Sequence, residues 1–226
     1  MKTLGFFSRL AGVCATVALL ANLSLSAAET GKAEITGIKG TVKVDGNTAK
    51  VGDSVAPGQQ IETGSDSQLN LYLGNNGPAV ILYGDTRLAF DELTSDKSGK
   101  ETVINTKINL KAGSVAGYVK KTSSQSSYVV QGPTTTAAIR GTEYQMMENG
   151  IVAVWEGCVT VTHGGNNYEV CAGKMFDPST ASVVANTYPR PNFGTTSSGP
   201  NFFIPIVPTR PNPNATGASP TAPTGS

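Results

Sequence analysis

Short runs of alternating apolar residues, each closed by a glycine-containing turn, constrain the fold of this chain more than any other feature. Leu69, Leu71 and Leu73 share one face of an extended segment that stops at Gly74-Asn75-Asn76-Gly77-Pro78. Leu88 and Phe90 do the same after Gly84-Asp85-Thr86. Ile108 and Leu110 run into Lys111-Ala112-Gly113, beyond which Val115 and Val119 resume. Strand side chains alternate between two faces, so a period of two predicts strands, and no long segment carries the helical period. Ile151, Ala153 and Trp155 alternate with Val152 and Val154, so that strand is expected to be buried on both faces, with Trp155 in the core. The pattern predicts an all-β domain of about ten or more short strands between Ala33 and Phe176. Its architecture is expected to be rolled and solenoid-like, or sandwich-like.

A weak internal repeat bears on that architecture. Gly40-x-Val42-x-Val44 precedes Gly46 and then Val51-Gly52, while Gly157-x-Val159-x-Val161 precedes Gly164-Gly165 and then Val170 and Gly173. Gly113-x-Val115 reads as a third, shorter copy. A repeated glycine-led strand and hairpin suits a rolled sheet, whose corners need residues without a Cβ. The other reading is that a chain with 26 glycines reuses Gly-x-Val through composition alone.

Both ends differ from this middle. Lys2 and Arg9 flank an n-region, Leu10 to Leu25 is apolar, and Ser26-Ala27-Ala28 offers small residues for cleavage. Residues 1–28 therefore read as a secretory signal peptide rather than a membrane anchor, and Cys14 leaves with it. No other run is long and apolar enough to span a bilayer, so no integral span is expected in the mature chain. The expected location is periplasmic or secreted. Without Lys2 and Arg9 the chain carries 15 basic and 16 acidic residues, which leaves no electrostatic footprint for nucleic acid. The domain is expected over residues 33–178. From Thr187 the chain is rich in Pro, Thr, Ser, Asn and Gly, with Arg-Pro-Asn at 190–192 and again at 210–212. Residues 187–226 are accordingly expected to be a disordered low-complexity tail. Phe202, Phe203, Ile204, Ile206 and Val207 stand out within it. They could dock back onto the domain or add to the sheet edge of a partner, and the first is the favoured reading.

Groups suited to catalysis are scarce. His163, the one histidine, falls beside Gly164-Gly165 and reads as a solvated turn residue rather than a base or ligand. Asp91 and Glu92 are adjacent, so on a strand they point to opposite faces. No Cys/His/carboxylate set has metal-ligand spacing. The sequence offers no catalytic, cofactor or metal site.

The two remaining cysteines say more. With Gly164-Gly165 as a two-residue hairpin turn, Val159 faces Val170, Val161 faces Tyr168 and Cys158 faces Cys171. Counting outward from His163/Asn166, Cys158/Cys171 falls on a non-hydrogen-bonded pair, where Cα atoms lie about 4.5 Å apart, close enough for a disulfide. An exported protein meets an oxidising compartment, so the bridge is expected to form.

One segment carries a family resemblance. Gly132-Pro133-Thr134-Thr135-Thr136-Ala137-Ala138-Ile139-Arg140-Gly141-Thr142-Glu143-Tyr144 resembles the FecR domain signature, in which a Pro/Thr/Ala run leads into Arg-Gly-Thr-Glu and an aromatic residue. Val51-Gly52-Asp53 with residues 57–64, Gly84-Asp85-Thr86-Arg87-Leu88, Leu110-Lys111-Ala112-Gly113-Ser114-Val115 and Val154-Trp155-Glu156-Gly157-Cys158-Val159 are similar to further steps of the same family. Physically, the charged, glycine and hydroxyl residues at 140–143 suggest a folded corner with its own hydrogen bonds. Arg140 and Glu143 are expected to form an internal clasp there, with Arg87 nearby, rather than an exposed recognition pair.

The resemblance implies a non-catalytic protein whose partner is an envelope or receptor protein. Signal-transducing FecR proteins add a cytoplasmic anti-sigma segment, a membrane span and a module that meets a TonB-dependent receptor, none of which is visible in this sequence. The first expectation is therefore a protein-binding or scaffold module in the cell envelope. The alternative is a periplasmic regulatory accessory in receptor-linked signal transduction. A glycan- or small-ligand-binding module is a second alternative, for which the chain is poor in aromatics.

The disulfide expectation is open to a direct check. Mass spectrometry of the exported protein should find two alkylatable thiols only after reduction. Because the bridge spans a hairpin already held by the sheet, reduction should cost no more than about 2 kcal/mol in a denaturant melt.

Overall fold

The computed structural model describes residues 28–77, 79–120 and 123–193. Seventeen strands and one 3-10 turn, Gly74–Asn76, make up its regular structure. The strands belong to one sheet that curls into a half-barrel. It divides into two halves.

The first half runs from β4 (Asn47–Thr48) through β3 (Val42–Val44), β6 (Gln60–Thr63), β9 (Arg87–Asp96), β10 (Val103–Ala112) and β12 (Ser127–Gln131). It ends in the N-terminal part of β13 (Thr135–Met147), the C-terminal part of β14 (Val152–His163) and β15 (Asn166–Cys171). The second half runs from β5 (Ser54–Val55) through β2 (Ala33–Lys39), β7 (Gln68–Tyr72), β8 (Ala79–Leu82) and β11 (Ser114–Val119). It then takes in the other parts of β13 and β14, followed by β16 (Lys174–Asp177) and β17 (Ser182–Ala185). A two-residue strand, β1 (Glu29–Thr30), pairs with the far end of β9. All pairings are antiparallel except β10 with β12.

The chain passes repeatedly from one half to the other, and glycines stand at the crossings. Gly40, Gly113 and Gly157, which lead the three copies of the weak repeat, share a left-handed backbone with φ of 76°, 78° and 75°. At Gly113 and Gly157 a Cβ would also run into the neighbouring crossing: into Thr86 in the first case and into the carbonyl of Gly141 in the second. Both the backbone region and the space therefore require glycine. The repeat has a common geometric job, which composition alone would not produce.

The two halves enclose one core. Leu69, Leu71, Leu88, Phe90, Ile108, Leu110, Val115 and Val119 are buried in it, as their alternation predicts. Val152, Ala153 and Val154 are buried on both faces of β14. Trp155 departs from expectation and is only half-buried, because it stands next to the bend at Gly157 rather than within the run. The hairpin register is as the turn dictates: Val159 faces Val170, Val161 faces Tyr168, and Cys158 is bonded to Cys171 with Cα atoms 4.0 Å apart.

Ordered structure extends past the expected end at 178. After β17, Asn186 donates its amide to the Gly173 carbonyl at 2.9 Å, and Pro191 is buried. Residues 187–193 are part of the fold, not of a disordered tail. The signal-peptide stretch 1–27 and the apolar run 202–207 lie outside the described residues.

Tyr144 and Tyr128 are fully enclosed, with their hydroxyls hydrogen-bonded at 3.2 Å and their rings edge to face. Gly117 lies opposite Tyr144 in the β11–β13 ladder, and a Cβ there would meet the ring. Burial pushes both phenols above their ordinary pKa. Tyr83 is pushed up to about 12, by burial first and then by the negative charge of Glu143. Above pH 10 the unfolded chain releases phenolic protons that the native state retains, so stability falls as pH rises. Denaturant melts should show a steep loss between about pH 10 and pH 12. Tyr83→Phe should flatten that slope.

Candidate functional site

The Arg-Gly-Thr-Glu segment sits where β13 crosses between the halves. Gly141 has φ of 65°, and the β13–β14 register shifts between Arg140 and Glu143, so the strand carries a bulge. The hydroxyl of Thr142, itself buried, lies 3.2 Å from the Arg140 carbonyl and 3.1 Å from the Cys158 carbonyl. Both carbonyls belong to the last ladder pair before the bulge, Arg140 and Cys158, so the hydroxyl ties the bulge back to the ladder.

The bend sends the two charged residues of the motif to different places. Arg140 is exposed and lines an open cleft of about 720 Å³ together with Asn75, Glu101, Lys120 and Ser123. Glu143 is only 4% exposed and lies on the outer side of the second half. Its ion-pair partner is Arg190, 47 residues later in the strap that follows β17. Arg190 Nε donates to Oε1 at 2.8 Å and Nη2 to Oε2 at 2.6 Å, a two-point hydrogen-bonded pair. Glu156, directly across the ladder from Glu143, lies 3.8 Å from the same guanidinium. Hydrogen bonding to Glu143, followed by its charge, raises the pKa of Arg190 above its ordinary value.

The expected Arg140–Glu143 clasp is therefore replaced by a Glu143–Arg190 clasp. Arg87 is engaged elsewhere, 3.1 Å from Glu62. Arg140 and Glu143 stand three positions apart on β13, and the bulge and change of sheet direction at Gly141 and Thr142 lie between them, so the two side chains reach different surfaces.

The rest of the motif is structural too. Pro133 lies in the turn between β12 and β13, and Gly132 donates to the Thr135 carbonyl at 2.9 Å. Thr135 is buried, with its hydroxyl 3.2 Å from His163 Nδ1, and that nitrogen is also 3.0 Å from the Thr134 carbonyl. The His163 ring packs 5.4 Å from Phe176. His163 is thus an anchored strand-end residue and not the solvated turn residue expected. Tyr144 fills the core as described above. Cys158, Glu169 and Cys171 come within ligand distance of one another, but the two cysteines are tied up in the disulfide.

Residues 59–160 match the family model described as FecR protein. That segment of the chain is FecR-like. The match takes in the sheet from β6 to β14 and the whole Arg-Gly-Thr-Glu corner, and Arg190 lies outside it. Two crystal structures of a candidate anti-sigma factor from Parabacteroides distasonis ATCC 8503 are similar at 11% identity, with TM-scores of 0.44 and 0.43. The alignment covers 56% of this chain and 58% of theirs, so the chain spans less than two thirds of their length. No curated protein sequence matches the chain. No helix among the described residues is long and apolar enough to cross a membrane.

Reading the sequence located the corner and missed Arg190. The signal that could have found it is the Arg-Pro-Asn triplet at 190–192, an isolated charge after the last alternating run. Arg190→Ala leaves a nearly buried carboxylate without its cation and should cost about 1–3 kcal/mol in a denaturant melt. That is below the cost for a fully buried pair, because the guanidinium is 60% exposed. Adding Glu143→Gln should restore part of the loss, since the orphaned charge is then gone.

Proposed function

We propose that this FecR-like domain is a non-catalytic, protein-binding regulatory module of receptor-linked signal transduction, exported to the cell envelope. The observation that carries the reading is the family match over residues 59–160, which includes the complete motif corner. Export is supported by the signal-peptide pattern of residues 1–28 and by the Cys158–Cys171 bridge, a bond favoured in oxidising compartments. A regulatory role fits the family better than a purely scaffolding one.

The geometry favours a protein partner over a small ligand. The cleft beside Arg140 is open, and polar and charged side chains make up most of its lining, unlike the enclosed apolar pockets that hold small molecules. Among the described residues β17 pairs only with β16, and Val183 on it is exposed. A partner strand can add to such an edge through backbone hydrogen bonds. Photo-cross-linking in living cells from Val183, with exposed Val51 as a distant control, tests the proposal. A receptor or membrane-spanning transducer should be trapped from Val183 and not from Val51. Capture of a structural envelope protein would replace this reading with the scaffold one. A glycan adduct without protein would replace it with the ligand-binding one.

A further inference from the structure

The exposed side of the β14–β15 hairpin gathers three metal-ligating groups at the end away from its turn. Cys158 pairs with Cys171 in the ladder, and Thr160 pairs with Glu169. Ladder partners, and residues two apart on a strand, share a face, so these four side chains project from one side of the sheet. Cys158, Thr160 and Glu169 are exposed, and Cys171 is half-buried. The two sulfurs and a Glu169 carboxylate oxygen all lie within 4.8 Å of one another. Spacing along the chain does not reveal this set, because the hairpin register assembles it from two strands.

The cysteine pair can open without loss of the hairpin. Six ladder pairs run from Cys158/Cys171 to His163/Asn166, and Val159, Val161 and Val170 anchor the inner face in the core. The sulfurs are also within reach of a reagent. Cys158 lies on the exposed face, and among the described residues β15 pairs only with β14. Glu169 forms no ion pair or side-chain hydrogen bond among the described residues, which leaves its carboxylate available.

We propose that Cys158, Glu169 and Cys171 form a redox-gated site for a thiophilic divalent cation of the zinc type. In the oxidised chain the sulfurs are bonded to each other and the site is closed. A dithiol reductant opens it by thiol–disulfide exchange: the reductant leaves as its own disulfide, and each cysteine sulfur takes up one proton. Binding of the cation then releases both protons, as two thiolates and the Glu169 carboxylate coordinate it. Zinc accepts this donor set, with water from the exposed side in the fourth position. Tetrahedral zinc with Zn–S bonds of about 2.3 Å sets its sulfurs about 3.8 Å apart. Side chains of a non-hydrogen-bonded ladder pair reach that separation by rotation about χ1, with the backbone in place.

The site does not depend on the partner proposed above. Its test is a cobalt(II) titration of the full chain, reduced with a phosphine and freed of it under anaerobic conditions. The expected result is one cobalt per chain, with a thiolate-to-cobalt charge-transfer band that zinc(II) abolishes. The oxidised chain, and the reduced chain alkylated at both thiols, should give no band. Glu169→Gln should weaken cobalt binding by roughly tenfold or more, since loss of even an outer-sphere partner typically costs that much. The melting transition of each sample reports whether the fold is retained. Folded, reduced chain that takes up no cobalt would overturn the proposal, as would a reduced chain that has lost its melting transition, because the site needs the hairpin intact. One cobalt per two chains would overturn it in favour of a site shared between copies. Unchanged affinity in Glu169→Gln would also overturn it, by removing the carboxylate from the ligand set.

Discussion

A sheet can close over its own core only where strands turn from one layer to the other, and a Cβ at that point would occupy the space of the neighbouring turn. In this domain the turns are stacked side by side. Gly113 lies against Thr86, and Gly157 lies against Gly141. The left-handed backbone at these glycines and the contact between adjacent crossings are two expressions of one packing requirement. The rolled shape, the shared core and the placement of the FecR motif all depend on it.

Once β13 bends at Gly141, its charged residues are committed to separate surfaces. Glu143 then becomes a carboxylate held out of water on the outer side of the second half, and such a group needs a cation. Arg190 supplies it. One ion pair thereby fastens the segment after β17 across the sheet, with Glu156 adding negative charge on the exposed side of the guanidinium. A local bulge in the motif strand and the course of the chain 47 residues later are linked by this contact.

What could be read from sequence was the local part of this scheme. The hairpin from Cys158 to Cys171 was legible because a two-residue turn fixes every pair that follows it. The alternating runs at 69–73, 88–90 and 108–119 were legible because one face of each is buried. Arg190 was not: the Arg-Pro-Asn triplet marks a charge after the last alternating run, but nothing local to it names Glu143 as the partner 47 residues away. Composition also misled at 187–193: a Pro-rich segment cannot build a core, yet it can be held by the ion pairs of Arg190, a buried proline and an aromatic contact. Trp155 and His163 were misjudged because each stands at the end of a regular run, where a bend or a neighbouring strand decides its surroundings.

The pairing pattern has a consequence for a chain that emerges N-terminus first. β10 and β12 are parallel neighbours in the first half, while β11, which lies between them in sequence, belongs to the second. Among the described residues the ladders of the two halves meet only through β13 and β14. Until residues 135–147 emerge, β11 and β12 each present an unsatisfied edge, and the nascent molecule is a pair of incomplete sheets open to pairing with other chains. The strand that bears the FecR signature is the one that closes both edges at once.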